Sequence, residues 1–131
     1  MTRLWLISGA ILGFTGVAAG SFGAHGLKTL LEANGQSANW ETAVRYCLFH
    51  AVALLIVGVM TVLPQAVGVR GLLSSAGWGF LVGTAIFSGV LAALALTGVK
   101  ILGAIVPIGG VLLLVGWACL AAAGYWLASA E

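Results

Sequence analysis

The sequence predicts an all-α membrane protein: a four-transmembrane-helix bundle with a short amphipathic interfacial helix between the first and second spans. Three observations predict it. Of 131 residues, 62% are hydrophobic and 6% charged, with mean hydropathy +1.19; an average soluble domain is about 45–50% apolar and about 25% charged. A chain this short exposes much of its surface when folded in water. Five basic and three acidic residues cannot cover that surface, which excludes a soluble globular monomer, a disordered chain and a basic nucleic-acid binder. The charges Arg3, Lys28, Glu32, Glu41, Arg45, Arg70, Lys100 and Glu131 leave four charge-free windows, 4–27, 46–69, 71–99 and 101–130. A crossing needs about 20 apolar residues for about 30 Å of hydrocarbon, so each window spans once and none spans twice. The windows are continuous apolar runs, where a transmembrane barrel needs alternation.

The first span covers about 4–24. Arg3, the apolar run and Ala18-Ala19 imitate a signal peptide, but the run exceeds the usual 7–15-residue apolar region of one. Gly9, Gly13, Gly16, Gly20 and Gly23 recur at spacings of four and three, which places them on one stripe of a helix. Small residues at this spacing let helix backbones approach closely in lipid, so the stripe predicts a packing face, inside the bundle or against another copy, with a backbone-lined permeation path as the alternative. His25-Gly26 ends the span. Leu27, Leu30 and Leu31 with the Lys28/Glu32 i,i+4 pair predict the interfacial amphipathic turn, and Asn34-Gly35 stops it.

Asn39 reads as the N-cap of the second span, with Glu41 in its first turn. This span covers about 40–63, to Pro64. The third covers about 72–97 and carries Gly79-xxx-Gly83; Thr97-Gly98-Val99-Lys100 is a tight turn. The fourth window, 101–128, is longer than one crossing requires. Proline suits the first turn of a helix and disrupts its interior. Pro107, followed by Gly109 and Gly110, therefore either starts the helix after a re-entrant or interfacial connection, or kinks one long helix. Trp5, Trp78, Tyr125 and Trp126 fall at one surface and Trp40 and Tyr46 near the other, as aromatic belts do. Three Lys/Arg residues on the loop side against two with the termini favour termini outside the cytoplasm.

Four spans bring the end of helix 1, the start of helix 2, the end of helix 3 and the start of helix 4 to one surface. It gathers His25, Lys28, Glu41, Arg45, Tyr46, His50 and Lys100, a candidate functional polar cluster. His50 stands out, because an ionisable residue inside a span is by default a functional hypothesis. Tyr46, one turn earlier, is placed to orient it. The competing reading is a structural hydrogen bond between helices. Glu41 and Arg45, at i,i+4, read as an interfacial ion pair or a helix cap, with a charge network reaching Lys28 or Lys100 as the alternative. His25, Cys47 and His50 would make a three-ligand metal set if they met, though no HExxH or CxxC pattern accompanies them. No nucleophile–base–acid set, phosphate loop or intramembrane carboxylate pair is present in the sequence.

Four stretches resemble a known family: Gly23-Ala24-His25-Gly26-Leu27-Lys28; Trp40-Glu41-Thr42-Ala43 through Tyr46 to His50-Ala51-Val52-Ala53-Leu54-Leu55; Phe87-Ser88-Gly89; and Leu102-Gly103-Ala104-Ile105-Val106-Pro107-Ile108-Gly109-Gly110 with Gly116-Trp117. The chain resembles, over nearly its whole length, the YwdK/YgdD-like small bacterial membrane proteins, and is similar to transmembrane-protein-256-type proteins. The resemblance implies a multi-pass protein of the bacterial inner (plasma) membrane and no assigned activity. It marks His25, Tyr46, His50 and the Pro107-Ile108-Gly109-Gly110 break as family features. Family members often carry glutamine where this chain has Cys47, which weakens that thiol as a needed ligand.

The combined expectation is one transmembrane domain over residues 1–131, non-enzymatic and without cofactor or metal. It sits in a lipid bilayer, homo-oligomeric through glycine-rich faces, without nucleic acid, and its polar end takes a small ligand or lipid. The alternatives are a small-solute transporter or channel using the His25/Tyr46/His50 end, and a metal- or haem-binding membrane protein.

Overall fold

The computed structural model describes residues 1–129; Glu131, the last expected charge, lies outside them. Five α-helices follow in order: α1 (Thr2–Ala24), α2 (Lys28–Ala33), α3 (Ser37–Met60), α4 (Arg70–Thr97) and α5 (Val106–Ala128). Short 3₁₀ segments at Pro64–Val69 and Lys100–Ala104 precede α4 and α5. Among the described residues, four helical segments are long and apolar enough to cross a membrane, and α2 is the short interfacial helix.

The boundaries follow local chemistry, with two corrections. α3 begins at Ser37 rather than at residue 40, with Gln36 at the N-cap position. Asn39 is not the cap; its amide donates to Gln36 Oε1 at 2.6 Å from inside the first turn. At the other end, the helix stops at Met60 rather than at Leu63. Thr61 bends the chain there, donating to Gly58 O at 2.7 Å and meeting Thr2 Oγ1 at 2.9 Å. α4 closes on Gly98 at φ 70°, whose N–H reaches Leu94 O, a left-handed cap suited to glycine. The two readings of Pro107 resolve to the helix start: the proline sits in the first turn of α5, where its missing N–H costs nothing. Residues 100–104 are a 3₁₀ connection, so the single kinked helix is not formed.

The extensive interfaces are α1 on α3, α3 on α4 and α4 on α5. The spans thus form a row with α3 and α4 in the middle. Their spanning windows are 44% buried, against 17% for the outer helices α1 and α5. One core cluster centres on Trp5, Leu54, Val57, Leu73 and Phe80. A smaller one, Leu31, Trp40 and Ala95, seats α2 at the opposite end.

Of the two packing partners expected for the α1 glycine stripe, it meets the one within the chain: a methyl built at Gly16 would lie 2.7 Å from Leu48, one at Gly20 3.4 Å from Val44, and one at Gly9 2.9 Å from both Leu55 and the Ala51 carbonyl. That face is therefore not free for a second copy. Trp5 and Trp40 are not belt residues. Trp5 is fully buried over Gly77 and packs edge-on to Trp78 at 5.4 Å. Trp40 is 8% exposed, and its indole N–H donates to Ala19 O at 3.0 Å. Each ring fills the space a glycine leaves on a neighbouring helix, which outweighs the interfacial preference of indole.

Candidate functional site

The polar end separates into two regions on opposite sides of α3. On the α5 side, His50 is 5% exposed. Because α3 starts earlier than expected, His50 lies thirteen residues along it, about 20 Å at 1.5 Å per residue, near the middle of a 24-residue helix. Its Nδ1 is 2.7 Å from the Tyr46 carbonyl oxygen. The Trp117 indole N–H of α5 donates to Nε2 at 3.1 Å. A carbonyl only accepts and an indole N–H only donates, so the ring is the neutral tautomer with the proton on Nδ1. Both nitrogens are engaged.

Phe80 of α4 packs against this pair, 5.6 Å from His50 and 5.0 Å from Trp117. The contact from Tyr46 to His50 Nδ1 is its backbone carbonyl, which any residue at that position would supply; the Tyr46 ring stacks on Phe87 at 4.2 Å. Around them a groove of about 930 Å³ runs between α3 and α5. Tyr46, Phe49, Phe87 and Pro107 line its upper part, Ile56 and Leu114 its lower part, and Gly110 holds it open.

On the α1 side, Lys28, Glu32, Glu41 and Arg45 line a second cavity of about 630 Å³, walled by Trp40. The Glu41–Arg45 ion pair is not formed: among the described residues the ion pair is Lys28–Glu32, at 4.0 Å with both side chains more than half exposed. Arg45 instead faces the cavity. His25, at the end of α1, and Lys100, at the start of the second 3₁₀ segment, are exposed.

His25, Cys47 and His50 do not converge. Cys47 points to α1, its thiol donating to Leu12 O at 3.3 Å, while His50 points to α5. Among the described residues no three His, Cys, Asp or Glu side chains gather as a metal site. Sequence reasoning passed over Trp117 as the partner of His50. A half-exposed tryptophan far along the chain carries no spacing signal toward an imidazole on another helix. It also passed over Thr84 and Ser88, one turn apart on α4, whose buried hydroxyls have no hydrogen-bond partner among the described residues beside a cleft of about 180 Å³ next to Cys47.

Residues 19–110 match the family described as "Protein of unknown function (DUF423)". The chain is 42% identical over 116 residues to a UPF0382 membrane protein of Staphylococcus haemolyticus, covering 88% of this chain and 89% of that one. It is 41% identical over 116 residues to one of Staphylococcus aureus, with the same shares. A third, from Staphylococcus saprophyticus, is 41% identical over 115 residues, or 88% of this chain and 91% of that one. No solved structure matches the chain. The matched segment, from within α1 through Gly110, takes in the whole α1–α2–α3 cavity and the α3 side of the groove, while Val111, Leu114 and Trp117 of the α5 wall lie beyond it; with relatives named as membrane proteins aligned over most of its length, the chain belongs to the DUF423 family of multi-pass membrane proteins, to which no biochemical activity is attached.

Proposed function

We propose that the protein is a non-enzymatic membrane component that seats an amphiphile from the lipid phase in the groove between α3 and α5. The groove itself carries this reading. Its volume of about 930 Å³ lies within the usual range for ligand pockets, about 300–1,000 Å³. Aromatic rings near the polar end and aliphatic side chains deeper suit a molecule with a ring or headgroup and a tail. His50 supports the non-enzymatic reading, because both its nitrogens are committed and neither is free as a base or ligand. The groove opens sideways to lipid rather than along a polar path, which favours binding over small-solute transport. Self-association would use the outer faces of α1 and α5, since the α1 glycine stripe is engaged by α3.

Protein taken up in native-lipid nanodiscs is expected to carry one class of amphiphile enriched over bulk lipid, read by mass spectrometry. Gly110→Leu tests the location. A methyl at Gly110 meets only the Phe87 ring, at 3.8 Å, so the larger side chain enters the groove without striking backbone. The variant is expected to keep its helical spectrum and lose the enriched molecule. No enrichment in the parent protein, or equal enrichment in Gly110→Leu, overturns the reading. Solute flux in proteoliposomes would replace it with the transport reading.

A further inference from the structure

The second cavity has a different chemistry and points to a different ligand. It holds two cations and two anions, Lys28, Arg45, Glu32 and Glu41, in a chain with only eight charged residues. Among the described residues, Glu41 and Arg45 take part in no ion pair, and Lys28 and Glu32 approach only to 4.0 Å. The walls are fixed. Leu31 of α2 is 2% exposed against Trp40 and Ala95, and Gln36 N–H donates to Leu31 O at 2.8 Å. On the α1 side the wall is Gly20 and Gly23, the latter packed against the Trp40 indole, and the cavity extends to Leu48.

Depth narrows the ligand. Glu41 lies four residues and Arg45 eight residues into α3, about 6 Å and about 12 Å below its start. A 24-residue helix is about 36 Å long against about 30 Å of hydrocarbon, so the Arg45 backbone lies below the headgroup layer. Its side chain lines this cavity, and a long cationic side chain at that depth extends its guanidinium to the headgroup layer. The anion at that level of a bilayer is lipid phosphate, and a planar guanidinium pairs well with phosphate oxygens. Two carboxylates beside the same cavity disfavour a purely anionic headgroup and suit one that also carries an ammonium group with N–H donors.

We propose that the α1–α2–α3 cavity binds the headgroup of a phosphoethanolamine-type bilayer lipid, its phosphate held by Arg45 and Lys28 and its ammonium by Glu32 and Glu41. The acyl chains then descend along the α1–α3 face past Gly20, Val44 and Leu48.

The test titrates detergent-purified full-length protein with phosphatidylethanolamine, phosphatidylglycerol and phosphatidylcholine of matched acyl chains. Native mass spectrometry reads the bound lipid. Phosphatidylethanolamine is expected to bind about tenfold or more tightly than the other two, the size of one charge-assisted hydrogen bond. Arg45→Gln should lose this binding by a similar factor. The double variant Glu32→Gln/Glu41→Gln should keep phosphate binding and lose the preference over phosphatidylglycerol. Both variants alter exposed side chains and should melt with the parent protein. Equal binding of the three lipids, or unchanged binding in Arg45→Gln, overturns the proposal. So does competition by soluble phosphoethanolamine at the concentration at which the lipid binds, which would make the ligand a free solute. Gly110→Leu should leave this binding intact, so failure here and failure of the α3–α5 groove read out separately.

Discussion

Glycine builds both outer interfaces of the row, but in different ways. Where α1 meets α3, the glycines receive side chains: Leu48 at Gly16, Val44 at Gly20, the Trp40 indole at Gly23, and Leu6 of α1 at Gly58 of α3. Where α5 meets α4, Gly83 receives Leu113 and Gly116 the Phe80 ring, but Gly79 and Gly109 let backbones meet. A methyl at Gly79 would lie 2.9 Å from both Gly116 Cα and Leu112 O, and one at Gly109 2.5 Å from Phe87 N and 2.8 Å from Gly83 O. A side chain can rotate away; a helix backbone moves only with the whole helix. The α4–α5 contact is thus a rigid crossing that sets the width of the aromatic groove. The α1–α3 contact is adjustable, with the exception of Gly9 against the Ala51 carbonyl. Small-residue spacing alone does not separate these two uses.

The largest effect expected is from Gly109→Ala. Its methyl strikes backbone on two sides, so relief requires α5 to move off α4. Overpacking costs about 1–3 kcal/mol, and the upper part of that range is expected, with loss of monodisperse protein on size-exclusion chromatography in detergent. A variant that unfolds at the same denaturant midpoint as the parent would show that the crossing has slack.

Next in size is the hydrogen bond that spans the groove. His50→Ala leaves the Trp117 indole N–H unpaired in a lipid-facing site, a loss of about 1–3 kcal/mol. Trp117→Phe leaves His50 without its donor but retains a ring. The coupling energy from the double-mutant cycle is expected at about 0.6 kcal/mol and no more than about 1.7 kcal/mol, the span found for hydrogen bonds between membrane helices. Zero coupling would remove this bond as the tie between α3 and α5. The counterpart on the other side of α3 is weaker: a thiol is a poor donor, and Cys47 reaches Leu12 O at 3.3 Å. Cys47→Ala is expected to cost less than the His50–Trp117 coupling in the same unfolding measurement. A larger loss would mean that α1–α3 is the stiffer contact.

The spans were legible because charge is so scarce in this chain. Arg70 and Lys100 stand at helix starts or connections, as the charge-free windows require, and Lys28–Glu32 marks α2. Pro107 and Gly98 announced their boundaries through backbone chemistry that does not depend on neighbours. The polar cluster was legible only as a set of residues at one end. Its division into two cavities depends on helical phase and on which helix lies to either side of α3. The spacing of Glu41 and Arg45 predicts an ion pair, yet Arg45 lines a cavity, because a long side chain has rotamers to choose from and a surface pair stabilises by little. Trp5 and Trp40 misled for a related reason: tryptophan at the end of a span suits both an interface belt and a glycine notch, and only the neighbouring helix decides.

The smallest effect is expected at Gly16→Ala, and its sign is set by competition. The added methyl would lie 2.7 Å from Leu48 Cδ2 and 3.6 Å from the Cys47 thiol. Leu48 is partly exposed, so its side chain has room to swing toward lipid and give way. Against that strain, alanine is favoured over glycine inside a helix by about 1 kcal/mol. The two terms are similar in size and opposite in sign, so the unfolding midpoint is expected to stay within about 1 kcal/mol of the parent. The same substitution at Gly109 has no such release, because the obstructing atoms are main-chain. If Gly16→Ala destabilised as much as Gly109→Ala, the contrast between a contact that receives side chains and one that joins backbones would fail, and the row would be equally rigid on both sides of α3 and α4.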